Sequence, residues 1–169
     1  ALAPVPDAGD NGGPSGSRGA LAGMTPPLIL ASRSPSRAEL LRQAGVTVEI
    51  MPASVDEAAI KATMEAEGAA ARDIADALAE FKARRVSARH TSRVVLGADQ
   101  VLVCEGRKFD KPRDLAETRE HLAFLRGKTH ELLSAAVIYE RGAPVWRHIG
   151  RAQMVMRPFS DGFLDAYLA

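Results

Sequence analysis

Ser32, Ser34, Ser36, Arg33 and Arg37 are gathered in one short stretch, Ala31-Ser-Arg-Ser-Pro-Ser-Arg37. The apolar run Leu28 to Ala31 precedes it and a helical pattern follows, so a strand feeds a helix at this point. The first N–H groups of a helix have no intrahelical partner and carry partial positive charge, which makes such a place attractive to phosphate. The hydroxyls of Ser32, Ser34 and Ser36 and the guanidinium groups of Arg33 and Arg37 can add donors. The stretch lacks the Gly and Gly-Lys-Ser/Thr spacing of a Walker loop. Taken alone it reads more simply as a helix cap with solvated arginines.

Carboxylates and further cations lie elsewhere in the chain. Asp99 follows Val94-Val95-Leu96-Gly97-Ala98, at what should be the C-terminal end of a buried strand, and ligands of α/β sheets bind beyond such ends. Small residues before it leave room for a substrate. A carboxylate there can hold a divalent cation or orient an attacking water. Asp56 and Glu57 add acidic groups in a loop, and Glu57 joins Asp99 as a candidate metal ligand. Lys82 stands on a long helix, one residue from its apolar stripe, and Lys111-Pro112 follows a hairpin. Each has a plain surface or turn reading by itself. Together they supply carboxylates for a metal and cations for phosphate. Hydrolysis of a phosphoanhydride needs both, because charge develops on the phosphate oxygens as the bond breaks. His90, His121, His130 and His148 show no ligand spacing. Cys104, the single cysteine, reads as a small core or surface residue within a strand.

The elements that must position these groups alternate. Strands are expected over Leu28–Ala31 and Val46–Met51, with a helix from Ser36 to Ala44 between them, stopped by Gly45. Asp56–Glu67 has weak helical preference. Arg72–Ala88 is a clearer helix, with Ile74, Leu78 and Phe81 on one side. Val94–Cys104 is the most strand-like stretch, interrupted at Gly97–Gln100, and Glu105-Gly106 makes a hairpin turn. Asp114 with Glu117 forms a capping-box pattern ahead of a helix ended by Gly127. Two strands, Thr129–Glu140 and Pro144–Met156, meet at Arg141-Gly142. The class is α/β with a mixed sheet. The 169 residues suffice for one core. A net charge of +1 and 5% aromatic content argue against a nucleic-acid partner, and no stretch is apolar enough to span a membrane. One thiol requires no oxidising compartment, and a cytoplasmic setting is expected. Ala1 to Gly23 reads as a disordered extension, with Met24 as the natural start of a domain running to Ala169. Phe163 to Leu168 looks like a helix just begun, so the domain is expected to be incomplete at its C-terminus.

The order of these segments resembles the Maf family of nucleotide pyrophosphatases. The matching stretches are LILASRSPSRAELLRQAGV, then VDE at Val55 to Glu57, FKA at Phe81 to Ala83, VLGADQV at Val95 to Val101, DKP at Asp110 to Pro112 and LRGKTHELLSAAV at Leu125 to Val137. The resemblance implies a central mixed sheet flanked by helices, in two lobes around a cleft, similar to the inosine-triphosphatase fold. It implies hydrolysis of a nucleoside triphosphate to the monophosphate and pyrophosphate with Mg2+, Mn2+ or Co2+, and fits a homodimer. By position Asp99 matches the catalytic acid usually assigned as proton acceptor. Ser32, Arg37, Glu57, Lys82 and Lys111 match phosphate-, metal- or catalysis-linked positions. Ser36 and Gln100 fall at specificity positions. Gln100 is similar to the branch acting on 7-methyl-GTP, whereas Ser36 matches neither that branch nor the dTTP and UTP branch. The family continues past the position of Ala169 into a Gly-rich strand. Two readings compete with hydrolysis to pyrophosphate. One is a nucleotide-binding regulatory module with little catalysis, the other a phosphatase removing the terminal phosphate.

Overall fold

The computed structural model describes residues 26–169. The expected extension Ala1–Gly23 and the start at Met24 lie outside the described residues. In chain order the elements are β1 (Leu28–Leu30), α1 (Pro35–Gln43), β2 (Val48–Ile50), α2 (Glu57–Ala66) and α3 (Ala71–Ser87). There follow β3 (Val95–Cys104), β4 (Arg107–Phe109), α4 (Leu115–Leu125), β5 (Thr129–Glu140), β6 (Ala143–Val155) and α5 (Asp161–Leu168). The strands make one sheet in the order β2-β1-β3-β5-β6, with β4 also on β3. β1 is parallel to β2 and β3; β3 with β4, β3 with β5, and β5 with β6 are antiparallel. The α/β mixed sheet read from the sequence is therefore present. No helix among the described residues is long and apolar enough to cross a membrane.

Local chemistry accounts for the turns. Glu105 and Gly106 have φ of 50° and 79°, Arg141 and Gly142 of 53° and 79°. Two successive positive φ values give the two-residue turn whose twist matches antiparallel strands. Asp56 caps α2 by accepting from the Ala59 N–H at 3.0 Å, so the weakly helical segment does form a helix. Asp114 caps α4 by accepting from the Glu117 N–H at 2.8 Å. Glu117 reaches back one residue further than a standard capping box, to the Arg113 N–H at 2.7 Å.

Two expectations need correction. β3 is not interrupted: it stays paired with β5 from Val95↔Tyr139 through Asp99↔Ala135 to Val103↔Glu131. Asp99 thus sits within a strand and not at its end. Lys82 does not flank the apolar stripe of α3 but lies in it, buried together with Leu78, Ala79, Ala83 and Val86. Phe81, expected on that face, is only partly buried and lies under the Arg84 guanidinium at 4.9 Å.

β3 has a gap along one edge. β1 pairs with it only as far as Leu96, and β4 joins the same edge only from Leu102. From Gly97 to Val101 no strand of the described residues occupies that edge. Two buried clusters lie on opposite faces of the sheet. One joins α3 to Ile29, Val95, Val101, Ala135, Val137 and Tyr139. The other joins Cys104, Phe109 and Leu125, with Leu102 and Phe124 against it.

A polar clamp ties α3 to the far strands. Tyr139 Oη donates to Glu80 Oε1 at 2.8 Å, while Arg147 bridges Glu80 at 2.7 Å and Asp76 at 2.6 Å. The hydrogen bonds from Arg147 and then Tyr139 hold the Glu80 carboxyl below its ordinary value. A carboxyl lowered in the folded state adds stability above its unfolded value and loses it as pH falls through the folded one. Glu80→Gln is therefore expected to flatten the acid side of a stability-against-pH curve and to cost stability at neutral pH. Urea unfolding between pH 3 and 7 checks this; an acid limb as steep as that of the parent chain contradicts it.

Candidate active site

At Gly97 the sheet and α3 touch backbone to backbone. A Cβ built there would lie 2.0 Å from the Ala79 carbonyl oxygen and 2.7 Å from the Ala83 nitrogen. Only glycine permits that approach. Strand alternation then puts Asp99 on the same face as Gly97, toward α3, where Lys82 follows Ala79 by three residues. Lys82 Nζ lies 2.7 Å from Asp99 Oδ1 and 2.8 Å from Glu57 Oε2, the latter supplied by the first turn of α2. The Lys82 and Asp99 side chains are 8% and 11% exposed, and Glu57 is 52% exposed. A shielded ammonium thus joins a shielded carboxylate to one that opens on solvent.

The serine-arginine turn reaches the same place through the gap in β3. Arg37 Nη1 donates to the Ala98 carbonyl at 2.9 Å and to Ser32 Oγ at 3.0 Å. Ser32 Oγ also accepts from the Ser34 N–H at 3.2 Å, leaving the hydroxyl proton free to donate outward. Ser34 is the N-cap residue of α1 but makes no side-chain cap bond, and Pro35 opens the helix. Helix geometry leaves the N–H groups of Ser36 and Arg37 without intrahelical partners.

These groups line one cleft of about 780 Å³. Of the sequence-derived candidates, Ser32, Ser34, Arg37, Glu57, Lys82, Asp99, Gln100 and Lys111 are brought together there. Ser36 is not: it is exposed on the first turn of α1 and does not line the cleft. Gln100 does line it, yet strand alternation turns it to the face opposite Asp99, where its Nε2 donates to Ser134 Oγ at 3.0 Å. The cleft therefore wraps around the free edge of β3. One end holds Asp99, Lys82 and the phosphate-type donors. The other is walled by Leu102, Leu132, Phe109, Leu122 and His121. Lys61 and Thr118 line the cleft without being sequence-derived candidates, as do His121, set aside for want of ligand spacing, and Asp110, named only within the DKP stretch. Lys61 follows Glu57 by one helical turn and so shares its face, a relation that exists only once this segment is helical.

The donor set fits a hard divalent cation. Glu57 and Asp99 offer carboxylate oxygens on either side of one ammonium. No group of three or more His, Cys, Asp or Glu gathers among the described residues. One or two carboxylates, completed by phosphate oxygens and water, is how Mg2+ is commonly bound with a nucleotide. Cys104 is unsuited to nucleophilic work: burial first, and the Glu105 charge second, push its thiol up. His130 is buried and lies outside the cleft lining.

Residues 27–169 match the model of the family described as Maf-like protein. The chain is 52% identical over 145 residues to the nucleoside triphosphate pyrophosphatase of Ruegeria sp. (strain TM1040), covering 86% of this chain and 73% of that protein. It is 46% identical over 146 residues to the 7-methyl-GTP pyrophosphatase of Rhizobium meliloti (strain 1021), covering 86% and 73%. A more distant likeness is to the structure of a nucleoside-triphosphatase / dITP/XTP pyrophosphatase from Mycobacterium abscessus. There the TM-score is 0.42 and the identity 24%, over 75% of this chain and 70% of that one.

The close approach at Gly97 yields a stability prediction that does not depend on activity. Gly97→Ala places a methyl group against helix backbone, which cannot yield as a side-chain tip can, so a loss of at least about 3 kcal/mol is expected, the upper part of the overpacking range. Gly150→Ala is the control. Its nearest atoms would be 3.8 and 4.0 Å away, an ordinary contact. Thermal and urea unfolding of both variants provides the check; equal stability of the two would refute the packing argument.

Proposed function

The chain belongs to the Maf-like protein family, and from that footing we propose that it hydrolyses nucleoside triphosphates to the monophosphate and pyrophosphate. The observation that carries the proposal is the shielded Asp99–Lys82 pair, joined to Glu57 and open to the Ser32–Arg37 turn. The relatives named nucleoside triphosphate pyrophosphatase and 7-methyl-GTP pyrophosphatase support this reaction class.

The residues divide the work as follows. Ser32, Ser34, the free N–H groups at the start of α1, Arg37 and Lys111 bind the triphosphate and fix its register. Asp99 orients a water toward the α-phosphorus and accepts its proton as the new P–O bond forms. The α–β bridging bond breaks, and pyrophosphate leaves with the bridging oxygen. Lys82 fixes the rotamer of Asp99 and offsets its charge. Glu57 and Asp99 would hold the divalent cation, which would supply charge neutralisation on the polyphosphate. Gln100, across the strand edge from Asp99, faces the part of the cleft left for the nucleoside. The homodimer expected from the sequence belongs to the same proposal. The mass in solution checks it.

A product-resolved assay on canonical NTPs and 7-methyl-GTP, with Mg2+, Mn2+ or Co2+, tests the reaction. Pyrophosphate in equal amount to monophosphate is expected, and chelation should abolish it. Orthophosphate as the first product would instead indicate a terminal phosphatase. Asp99→Asn is expected to lower kcat by about a hundredfold or more while nucleotide binding persists, the usual scale for losing a general base. Nucleotide binding with no product from the parent chain would instead support the regulatory-module reading.

A further inference from the structure

Helix α2 carries Glu57 yet buries none of its residues. Ile60 and Met64, partly buried, pack on the main core and form its only apolar attachment within that cluster. Beside that row the helix carries Glu57, Lys61 and Glu65, successive residues four apart and so stacked in a row of their own. Each member of the row meets a different partner. Glu57 pairs with Lys82 at 2.8 Å. Lys61 pairs with Asp110, which directly precedes Lys111. Glu65 lies 3.6 Å from Lys108 on β4. The row therefore spans the cleft from the α3 side to the segment that follows β4.

The three contacts are not equivalent once a nucleotide binds. Under the proposed function Glu57 would also be a ligand of the cation, so its contact with Lys82 would be shared with that task when α2 is held. Lys61–Asp110 is under no such demand. The Lys61 side chain is 13% exposed, sheltered within the cleft wall, whereas Asp110 at the rim is 73% exposed. Through one pair, the structure fixes one turn of α2 upstream, where Glu57 sits, and one residue downstream of Asp110, where Lys111 sits.

We propose that Lys61 and Asp110 are positioning residues, a clasp across the cleft that sets Glu57 on one wall and Lys111 on the other. The inference rests on the proposed function, since it assigns Glu57 and Lys111 to the reaction, but the clasp itself is a statement about α2. Neither Lys61 nor Asp110 is required to touch the substrate.

The test is a cycle of Lys61→Met, Asp110→Asn and the double variant, with Lys61→Arg as the conservative replacement. Each single variant is expected to lose about tenfold in kcat, a modest fraction of what misplacing a reacting group can cost. Asp110→Asn should also raise KM by loosening Lys111. The double variant should be no worse than the poorer single one, because the two act as one unit. Lys61→Arg should restore most of the activity, as arginine can still pair with Asp110. Hydrogen exchange without nucleotide supplies the second readout. Amides of Glu57–Ala66 should exchange faster in Lys61→Met while those of α3 stay protected. Additive losses in the double variant, or unchanged kcat together with unchanged exchange in α2, would overturn the clasp. If the parent chain releases no pyrophosphate from any NTP, it is the proposed function that fails. The clasp then stands or falls on the exchange of α2 alone.

Discussion

Lys82 meets Asp99 because Gly97 has no side chain. The contact of α3 backbone with β3 at Ala79 and Ala83 brings the helix closer to the strand than even one methyl group at position 97 would allow. At that distance a lysine in the helix stripe reaches a carboxylate two residues along the strand. The resulting buried pair is not an economical source of stability. Desolvating two charges offsets much of their attraction, and an apolar pair of similar volume would often be as stable or more so. Where β3 meets α3 beside the pair, Ala79, Ala83 and Ala135 are small and fully or almost fully buried, while Leu78 and Val86 flank Lys82 along the helix.

The same economy governs the edge of the sheet. β1 ends at Leu30, its chain last donating from the Ala31 N–H to the Leu96 carbonyl at 2.8 Å. A longer β1 would have taken the next carbonyl on that edge, Ala98, into the ladder. Instead the chain turns away at Ser32, and Arg37 returns from α1 to donate to that carbonyl. A backbone acceptor left out of the ladder is satisfied by a cation that follows the serine-arginine turn. The gap this leaves in the ladder is the opening through which the cleft passes from one face of the sheet to the other. Ending a strand early therefore places the cation, fixes the turn and opens the cleft together.

Much of this was readable from the chain, and the parts that were not failed for identifiable reasons. Turns announced by glycine were read correctly, since Gly106, Gly142, Gly45 and Gly127 all adopt the positive φ that favours this residue. Helix α3 was clear from its spacing. Lys82 was nonetheless placed beside the stripe, because an apolar pattern counts a lysine as a break. Its burial becomes intelligible only with Asp99 opposite, on a strand thirteen residues later than the end of the same stripe. The apparent interruption of β3 at Gly97–Gln100 reflects residues of low strand propensity, overridden by continuous pairing with β5 and by α3 lying against Gly97. That misreading also concealed the face of Gln100. In an uninterrupted strand, neighbours point apart, so Gln100 and Asp99 work on opposite sides of the edge. Lys61 went unremarked because Asp56–Glu67 showed only weak helical preference, and without a helix its relation to Glu57 cannot be seen.

Under the proposed function, charge would favour the cleft, and not the surface as a whole, as the place where an anionic substrate binds. The complete chain carries a formal charge of only +1, too little for long-range attraction of an anion. Within the cleft, Arg33, Arg37, Lys61, Lys82 and Lys111 face Glu57, Asp99 and Asp110, an excess of two positive charges. The excess is unevenly placed. Lys82 is shared by two carboxylates and Lys61 is matched by Asp110, so the unmatched cations are Arg33, Arg37 and Lys111, at the turn and at the rim. On the proposed function a polyphosphate would be drawn to the turn and the rim, while Asp99, Lys82 and Glu57 set one positive charge against two negative ones. Glu57 and Asp99 would then be the groups to hold a divalent cation, which would supply neutralising charge to the polyphosphate. One lysine set between two acids, a count that the contact at Gly97 and the first turn of α2 jointly impose, is what would leave that charge to be supplied.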